Sequence, residues 1–424
     1  MNHAGFCYLQ FKIYEPYLRI NDRKVKVSDE CFHASVLYSK EKQKSDSKFN
    51  ENFLQSWQSL LPSEYKSTTL QKVNFDILKD VKISCNTVPP EYGFVSIQGK
   101  RFRLHNYIVE PLHIFKGRGI HPLRGSLKFP VKPEQITLNV LKIPPCPLKG
   151  HKWGNIVNNS SFHWAGFYKD SLGQSKYMYP MLNDELSKFE TARRLKKRLH
   201  AIRRQYTNDL SSPKSKIRQK ATATYFIDKL CIRVGHPKET DSADTVGCCT
   251  LRIEHVKMNG RSISFCFLGK DSIEFKRTLV PNEVVLTNMK SFVAHKRKED
   301  SLFCLIDASI LNTYLNRLSK GLTAKQFRTC HASSKFDELL ASYNHAIDGN
   351  ILKFYKMCNN KVAKLCNHKR GDKFSNETSK ANYLDPRITF AFCKLHELQI
   401  SQFFSLRLIE KHNWASNTTA DFKF

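Results

Sequence analysis

Five residues in the second half of the chain have the types that phosphoryl transfer requires. Arg233, Lys270, Arg328, His368 and Tyr383 combine a phenol with cations and proton donors, and include no carboxylate pair. A free phenol titrates near pH ~10 and is a weak nucleophile at neutral pH unless cations and donors stabilise its attack. Together these residues predict a tyrosine that bonds covalently to phosphorus within a positively charged site.

Tyr383 lies just before the start of a predicted helix. Asp385 is a favoured N-cap residue and Pro386 a favoured first helical residue. Apolar residues follow at helical spacing: Ile388, Ala391, Phe392 and Leu395. A helix N-terminus presents unpaired N–H groups and a partial positive charge, which suits a phosphate. Most of the 16 tyrosines are expected to be packing residues, so the assignment depends on the other four residues.

Turn and strand patterns indicate where Lys270 lies. Residues 250–280 predict three strands, with one turn at Asn259-Gly260 and a second at 269–272 that places Lys270 on a hairpin tip. Residues 93–105 predict another hairpin, whose basic face carries Arg101, Arg103 and His105. The polar stretch 39–52 predicts a surface loop.

Helices are predicted for most of the rest of the second half. Apolar periodicity marks 188–206 and 215–233, and capping signals mark 310–318 and a helix from Thr323 through Arg328. A further helix is predicted over 351–370, with an inner face made of Leu352, Tyr355, Val362 and Leu365. His368 then falls in the last turn of that helix, where a cationic imidazole is favoured.

The charge of the chain indicates a polyanionic partner. Over 424 residues, 69 Lys and Arg outnumber 38 Asp and Glu, for a formal net charge of +31. Hydrophobic residues at 41% and charged residues at 25% are typical of globular proteins, and the length predicts two or three domains. Nucleic acid is favoured over a membrane because no apolar run approaches the ~18 residues of a spanning helix, and no signal peptide or lipidation motif is found.

Metal-dependent and ATP-dependent chemistry have no sequence support. The thirteen cysteines form no CxxC pair, no HExxH occurs, and no GxxxxGK[ST] loop is present. The group Cys358, Cys366 and His368 has no spacing typical of a zinc site. We therefore expect no metal, no ATP and no other cofactor, and reduced, mostly buried thiols.

The chain resembles the eukaryotic-type DNA topoisomerase I family, type IB, from about Tyr92 to its C-terminus. The long motifs that carry this resemblance are 115–122 (FKGRGIHP), 190–197 (ETARRLKK), 227–233 (IDKLCIR), 243–252 (ADTVGCCTLR), 267–272 (FLGKDS), 321–325 (GLTAK), 365–368 (LCNH) and 382–387 (NYLDPR).

The resemblance implies a nicking and rejoining cycle that needs neither ATP nor a divalent metal. Tyr383 aligns with the nucleophile that forms a 3′-phosphotyrosyl link, and Arg233 and Arg328 align with the phosphate-clamping arginines. His368 aligns with a third donor to the phosphate. Lys270 aligns with the general acid that protonates the departing 5′-oxygen. Rotation of the cut strand would then relax supercoils of either sign.

The implied fold is α+β and multidomain. It is a two-lobed clamp, with a mixed α/β cap and a mostly helical, tyrosine-recombinase-like catalytic lobe that contains a small antiparallel sheet. The implied parts are a DNA-clamping cap at 1–187, a catalytic core at 188–370, a vestigial linker at 371–378 and a C-terminal domain at 379–424. The partner is double-stranded DNA, bound by a monomer in the nucleus. The expected DNA contacts are Lys116, Arg118, Lys142, Lys152, Arg193, Arg194, Lys196, Lys197, Asp271 and Asn382.

The chain departs from the family in three places. The charged N-terminal region with nuclear-import signals does not precede the cap, which makes the mitochondrion an alternative compartment. Only 14 residues separate His368 from Tyr383, where the family has a long coiled-coil linker; extended, they reach ~45 Å and can return the tyrosine to the site. The cap carries Lys128-Phe129-Pro130-Val131 in place of a more basic sequence, and the region 70–90 is shorter than the family's paired cap helices.

Two other functions share features of this sequence. A tyrosine recombinase would use the same Arg, Lys, Arg, His and Tyr set, but the motifs before residue 188 favour the topoisomerase. A catalytically weak or inactive DNA-binding paralogue would fit the short linker and the altered cap. The presence of all five chemical residues argues against that alternative.

Overall fold

The computed structural model describes residues 1–43, 45–117, 121–181, 185–237, 243–370, 373–374 and 376–424. These residues divide into two compact units. The first holds the described residues up to 181 together with residue 243, and the second holds 185–237 and the described residues from 244 onward. Both helices and strands occur, so the expected α+β class is confirmed.

The first unit is mainly β-structure with two helices. Its helices are α1 (Asp29–Ser39) and α2 (Ser47–Gln58). Its strands are β1 (Asn2–His3), β2 (Phe11–Lys12), β3 (Tyr17–Ile20), β4 (Arg23–Lys26), β5 (Ser84–Cys85), β6 (Phe94–Ile97), β7 (Lys100–His105), β8 (His113–Ile114), β9 (Leu127–Lys128), β10 (Thr137–Asn139), β11 (Ile156–Val157), β12 (Gly166–Lys169) and β13 (Ser175–Pro180). Among the described residues, one sheet has the order β1-β6-β7-β13-β12-β10-β11, and it is antiparallel except between β10 and β11.

The predicted hairpin at 93–105 is confirmed. Strands β6 and β7 pair with Ile97 opposite Lys100. Gln98 and Gly99 between them have φ of 50° and 77°, as a tight two-residue turn requires. Arg101, Arg103 and His105 are exposed, so the basic face is confirmed as well.

The predicted loop at 39–52 is wrong in its second half, because α2 begins at Ser47. The Asp46 carboxylate accepts the N–H of Phe49 at 3.2 Å and caps the helix. Phe49, Phe53 and Trp57 recur every four residues and are fully buried. Their burial against α1 stabilises a helix whose remaining residues, apart from Leu54, are polar.

The second unit is mostly helical. Its helices are α3 (Glu185–Asp209), α4 (Ser215–Leu230), α5 (Glu283–Val293), α6 (Ala308–Leu318), α7 (Ala324–Ala341), α8 (His345–Asp348), α9 (Ile351–Leu365), α10 (Asn376–Asn382), α11 (Pro386–Leu395) and α12 (Leu406–Lys411). Its strands are β14 (Val256–Asn259), β15 (Ser262–Gly269), β16 (Ile273–Leu279), β17 (Lys369–Arg370) and β18 (Lys373–Phe374). Strands β14, β15 and β16 form an antiparallel sheet in that order, as predicted.

Two predicted helices end earlier than expected. Helix α4 stops at Leu230 because Cys231 has a left-handed backbone with φ of 53°, so Arg233 leaves the helix on an extended segment. Helix α9 stops at Leu365 because Asn367 has φ of 52°. The N–H of His368 then donates to the carbonyl of Ala363 at 2.8 Å, which completes a Schellman cap.

Two smaller expectations are also corrected. Leu352, expected on the inner face of α9, is 40% exposed. The first strand of the small sheet begins at Val256, because residues 253–255 form a 3-10 turn instead.

The remaining expectations about helices agree with the structure. Thr323 is the N-cap of α7, and Asp385 with Pro386 begins α11. No helix in the described part of the chain is long and apolar enough to cross a membrane.

Candidate active site

Tyr383 is fixed in the short turn between α10 and α11. Its N–H donates to the carbonyl of Ser379 at 2.9 Å. Its carbonyl accepts a hydrogen bond of 2.9 Å from the hydroxyl of Ser333, which in turn accepts the N–H of Asp385 at 3.0 Å. The side chain of Tyr383 is 7% exposed. The nucleophile predicted from sequence is therefore held by its backbone on both sides, and it lies just outside a helix start as expected.

Arg328 on α7 holds three groups of the site together. Its guanidinium donates to the carbonyl of Cys231, to the carbonyl of Cys366 at 2.8 Å, and to Nε2 of His368 at 3.0 Å. Its central carbon lies 4.9 Å from the centre of the Tyr383 ring. Its Nε is buried without a hydrogen-bond partner among the described residues. That N–H can donate to an anion that enters the site.

Two guanidinium groups change the acidity of the tyrosine. Burial raises the pKa of the Tyr383 phenol, but the charges of Arg328 and Arg233 outweigh burial and bring it below its ordinary value of 10. The pKa of Arg233 is itself lowered by burial and by the like charge of Arg328. The contact of Arg233 with Tyr383 acts in the opposite direction and raises that pKa. Because two cations are placed side by side, a phosphate between them would be strongly favoured.

The surroundings of His368 favour the neutral imidazole, against the expectation of a cationic imidazole at the end of a helix. Burial and then the charges of Arg328 and Arg233 lower its pKa from 6.5 to about 3. Arg328 can only donate, so His368 Nε2 must accept and the ring proton must lie on Nδ1. Nδ1 lies 2.8 Å from the hydroxyl of Ser379. The helix-end argument fails because burial, and after it the charges of two neighbouring arginines, disfavour the protonated ring.

Lys270 reaches the same site from the tip between β15 and β16. The tip is tight, since Asp271 and Ser272 both have positive φ, of 69° and 55°. Lys270 is exposed and lines a pocket of about 480 Å³ together with Arg233, Arg328 and Tyr383. A second cavity of about 30 Å³ is lined by Arg233, Lys270 and Arg328. The structure thus brings all five sequence-predicted residues together, with His368 behind Arg328.

Some residues of the site were not singled out from the sequence. Lys325 and Thr323, at the start of α7, line the larger pocket, and Ser333 and Ser379 hold the tyrosine and the histidine. The motif 321–325 contains Thr323 and Lys325, and Ser379 lies three residues before the motif 382–387. Nothing in their local pattern indicates which of their side chains point inward.

The expected DNA contacts of the first unit are exposed cations. Lys116 is exposed and pairs with Glu41 at 2.8 Å, and Lys142 and Lys152 are exposed. Arg118 lies outside the described residues.

The expected contacts of the second unit have varied surroundings. Arg194 and Lys197 on α3 are exposed, whereas Arg193 pairs with Glu190 at 3.2 Å and Lys196 donates to the carbonyl of Phe424 at 2.6 Å. Asp271 lies next to Lys270 on the hairpin tip. Asn382 is exposed, and its side chain donates to the carbonyl of Thr378 at 3.2 Å.

The described residues hold no group of three His, Cys, Asp or Glu side chains that could bind a metal ion. All thirteen cysteines are free thiols, and nine of them are buried, which confirms the expectation of unpaired and mostly buried thiols.

Comparisons with known proteins show which family the chain is similar to. Residues 180–395 match the family described as eukaryotic DNA topoisomerase I, catalytic core, and residues 78–182 match eukaryotic DNA topoisomerase I, DNA binding fragment. DNA topoisomerase 1 of Caenorhabditis elegans is 32% identical over 88% of this chain and 60% of the relative. DNA topoisomerase 1 of Homo sapiens is 36% identical over 79% of this chain and 49% of the relative. DNA topoisomerase 1 alpha of Arabidopsis thaliana is 31% identical over 89% of this chain and 53% of the relative.

The chain thus spans about half to three-fifths of the length of these relatives. From the match over both regions, we conclude that the chain belongs to the eukaryotic DNA topoisomerase I family.

Proposed function

We propose that this protein is a type IB DNA topoisomerase, which nicks one strand of duplex DNA, allows the strand to rotate and then reseals it. One observation carries the proposal: the phenol of Tyr383 lies against Arg233 and Arg328 in a pocket that Lys270 also lines. A buried phenol with a lowered pKa beside two cations is suited to attack a phosphodiester.

In the proposed reaction, the Tyr383 oxygen forms a bond to a backbone phosphorus as the bond from phosphorus to the 5′-oxygen breaks. The phenol loses its proton to water, and Lys270 gives a proton to the departing 5′-oxygen. Arg233 and Arg328 donate to the non-bridging oxygens, whose charge grows in the transition state. Each such donor contributes on the order of 3 kcal/mol.

The product is a 3′-phosphotyrosyl link with a free 5′-hydroxyl. The phosphotyrosine bond retains the energy of the broken phosphodiester, so resealing by the 5′-hydroxyl needs no ATP. No step of this scheme uses a metal ion or another cofactor. Rotation of the free end before resealing relaxes positive and negative supercoils alike.

DNA is the proposed substrate for the whole chain, bound by a monomer that closes around it as a two-lobed clamp. The cap at 1–187 would supply Lys116, Arg118, Lys142 and Lys152. The helical lobe would supply α3 and the hairpin tip. Contacts of this kind hold phosphates without reading sequence, so binding should weaken steeply as salt rises. The nucleus is the proposed compartment.

Relaxation of a supercoiled plasmid without ATP and in the presence of EDTA tests the proposal. The wild type should relax the plasmid, and Tyr383→Phe should bind duplex DNA without nicking it, because the substitution removes one oxygen from a ring that otherwise stays packed. Relaxation by Tyr383→Phe at the wild-type rate would contradict the proposal. Salt-sensitive plasmid binding with no relaxation by the wild type would instead favour the inactive DNA-binding paralogue.

A further inference from the structure

A buried serine joins the histidine of the site to the helix that precedes the nucleophile. Ser379 lies in α10, and its side chain is fully buried. Its hydroxyl oxygen is 2.8 Å from Nδ1 of His368, which follows α9. None of the chemistry proposed above uses this serine.

The backbone of Ser379 also holds the tyrosine. Its carbonyl accepts the N–H of Tyr383 at 2.9 Å and that of Leu384 at 3.0 Å. The rings of His368 and Tyr383 are 5.0 Å apart. One residue therefore fixes His368 through its side chain and Tyr383 through its carbonyl, which sets the position of the two groups relative to each other.

The hydrogen bonds of His368 determine its tautomer in this structure. Nε2 accepts from Arg328, so the single ring proton lies on Nδ1 and is donated to Ser379. With its proton on Nδ1, the imidazole has no N–H on the side that faces Arg328 and cannot donate there to a phosphate. The role that the family resemblance implies for His368, a third donor to the phosphate, requires the other neutral tautomer, with the proton on Nε2.

We propose that Ser379 is a positioning residue whose hydroxyl supports both neutral tautomers of His368. It accepts from Nδ1–H in the free protein, and it donates to Nδ1 once a DNA phosphate draws Arg328 away from Nε2. Nδ1 releases its proton to water and Nε2 takes a proton from water, so the imidazole stays neutral and no net proton is taken up. A hydroxyl can serve in both states because it is donor and acceptor, whereas a carboxylate could only accept. The inference rests on the proposed function, in which a phosphate occupies the site.

Nitrogen-15 NMR of histidine-labelled protein tests the change of tautomer directly. His368→Gln identifies the signals of His368 by their loss. The free protein should show the Nδ1–H tautomer. The Tyr383→Phe variant, which binds duplex without cutting it, should show the Nε2–H tautomer when a short duplex is added. A His368 that keeps its proton on Nδ1 in the DNA complex would overturn the inference.

Kinetics of single-turnover cleavage provide a second test. Ser379→Ala keeps the backbone carbonyl and is a good helix former, so the protein should fold and bind duplex normally. Its cleavage rate should fall roughly tenfold, the scale of one buried hydrogen bond. In a His368→Gln background the same change should have little further effect, because the two residues act as one unit.

Ser333→Ala is the matched control. It removes another buried serine hydroxyl next to Tyr383, but that hydroxyl contacts the backbone of Tyr383 and Asp385 rather than His368. Its effect on cleavage should therefore add to that of His368→Gln. If the effect of Ser379→Ala on the cleavage rate also adds in full to that of His368→Gln, Ser379 does not act through His368. A wild type that fails to cleave would refute the proposed function, while the NMR measurement would still decide the role of Ser379.

Discussion

Substituting Arg328 with lysine keeps the positive charge but removes the planar guanidinium group, whose several N–H donors hold three acceptors at once. The guanidinium donates at once to the carbonyls of Cys231 and Cys366 and to His368, and it is 3% exposed. A lysine ammonium is a point charge on a flexible stem and cannot reach three fixed acceptors on different segments. We therefore expect Arg328→Lys to impair both folding stability and DNA cleavage.

The two losses have separate origins and separate magnitudes. A hydrogen bond from a charged group contributes roughly 1.5–3 kcal/mol, and a buried carbonyl left without its donor adds a desolvation cost. With one of the two carbonyl contacts retained by lysine, the free energy of unfolding should fall by about 2–4 kcal/mol. Loss of one preorganised donor to the transition state should lower the cleavage rate by about 10²–10³-fold.

Urea unfolding and single-turnover cleavage of a short duplex measure the two effects. Arg233→Lys is the matched control, because Arg233 lies beyond the end of α4 and faces the Tyr383 phenol rather than tying two backbone segments together. It should lose cleavage on the same scale as Arg328→Lys with a smaller loss of stability. If Arg328→Lys cleaves at the wild-type rate, Arg328 is not a required donor to the transition state. If its free energy of unfolding equals that of the wild type, the three guanidinium contacts do not stabilise the fold.

Three further outcomes follow from buried groups. Asp228→Asn should lower the free energy of unfolding by about 3–5 kcal/mol, measured in urea, because the buried carboxylate accepts from Arg203 at 2.8 Å and from His331 at 2.8 Å. Burial and two arginines hold the pKa of His368 at about 3, below the 6.5 of an unfolded chain. As pH falls, the unfolded state therefore binds this proton before the folded state does. The free energy of unfolding falls between pH ~6.5 and ~3, by up to roughly 1.4 kcal/mol per pH unit. In His368→Gln the free energy of unfolding should fall less steeply over the same pH range. Gly125→Ala should lower the thermal midpoint by several degrees, because φ is 93° and the added methyl would lie 2.0 Å from the carbonyl oxygen of Phe49; an unchanged midpoint would contradict that clash.

The parts of the site that depend on local signals were predictable from sequence. Asp385-Pro386 begins a helix wherever the following residues can be buried, so the place of Tyr383 could be predicted. Lys270 could be placed on a hairpin tip because alternating strands on both sides fix the turn. The match of long motifs then indicated which residues belong to one site.

The parts that depend on chain reversals without glycine or proline were not predictable. Cys231 and Asn367 end α4 and α9 with left-handed backbones, a conformation that cysteine adopts rarely and asparagine less often than glycine. Helical periodicity continues past both residues, so both helices were predicted to be longer than they are. Helix α2 was not predicted because its mostly polar composition is typical of a surface loop. Its three buried aromatic residues at helical spacing were the only local indication of a helix.

The sequence by itself determined the class of chemistry, through five residues of the required types in motifs of one family, and the excess of positive charge that indicates a nucleic-acid partner. The tertiary structure decided the state in which those residues exist. Burial, together with Arg328 and Arg233, lowers the pKa of His368, and the charges of the same two arginines lower the pKa of Tyr383. Electrostatic effects of this kind depend on distance and burial in space, and residues far apart in the chain reveal neither until the fold brings them together.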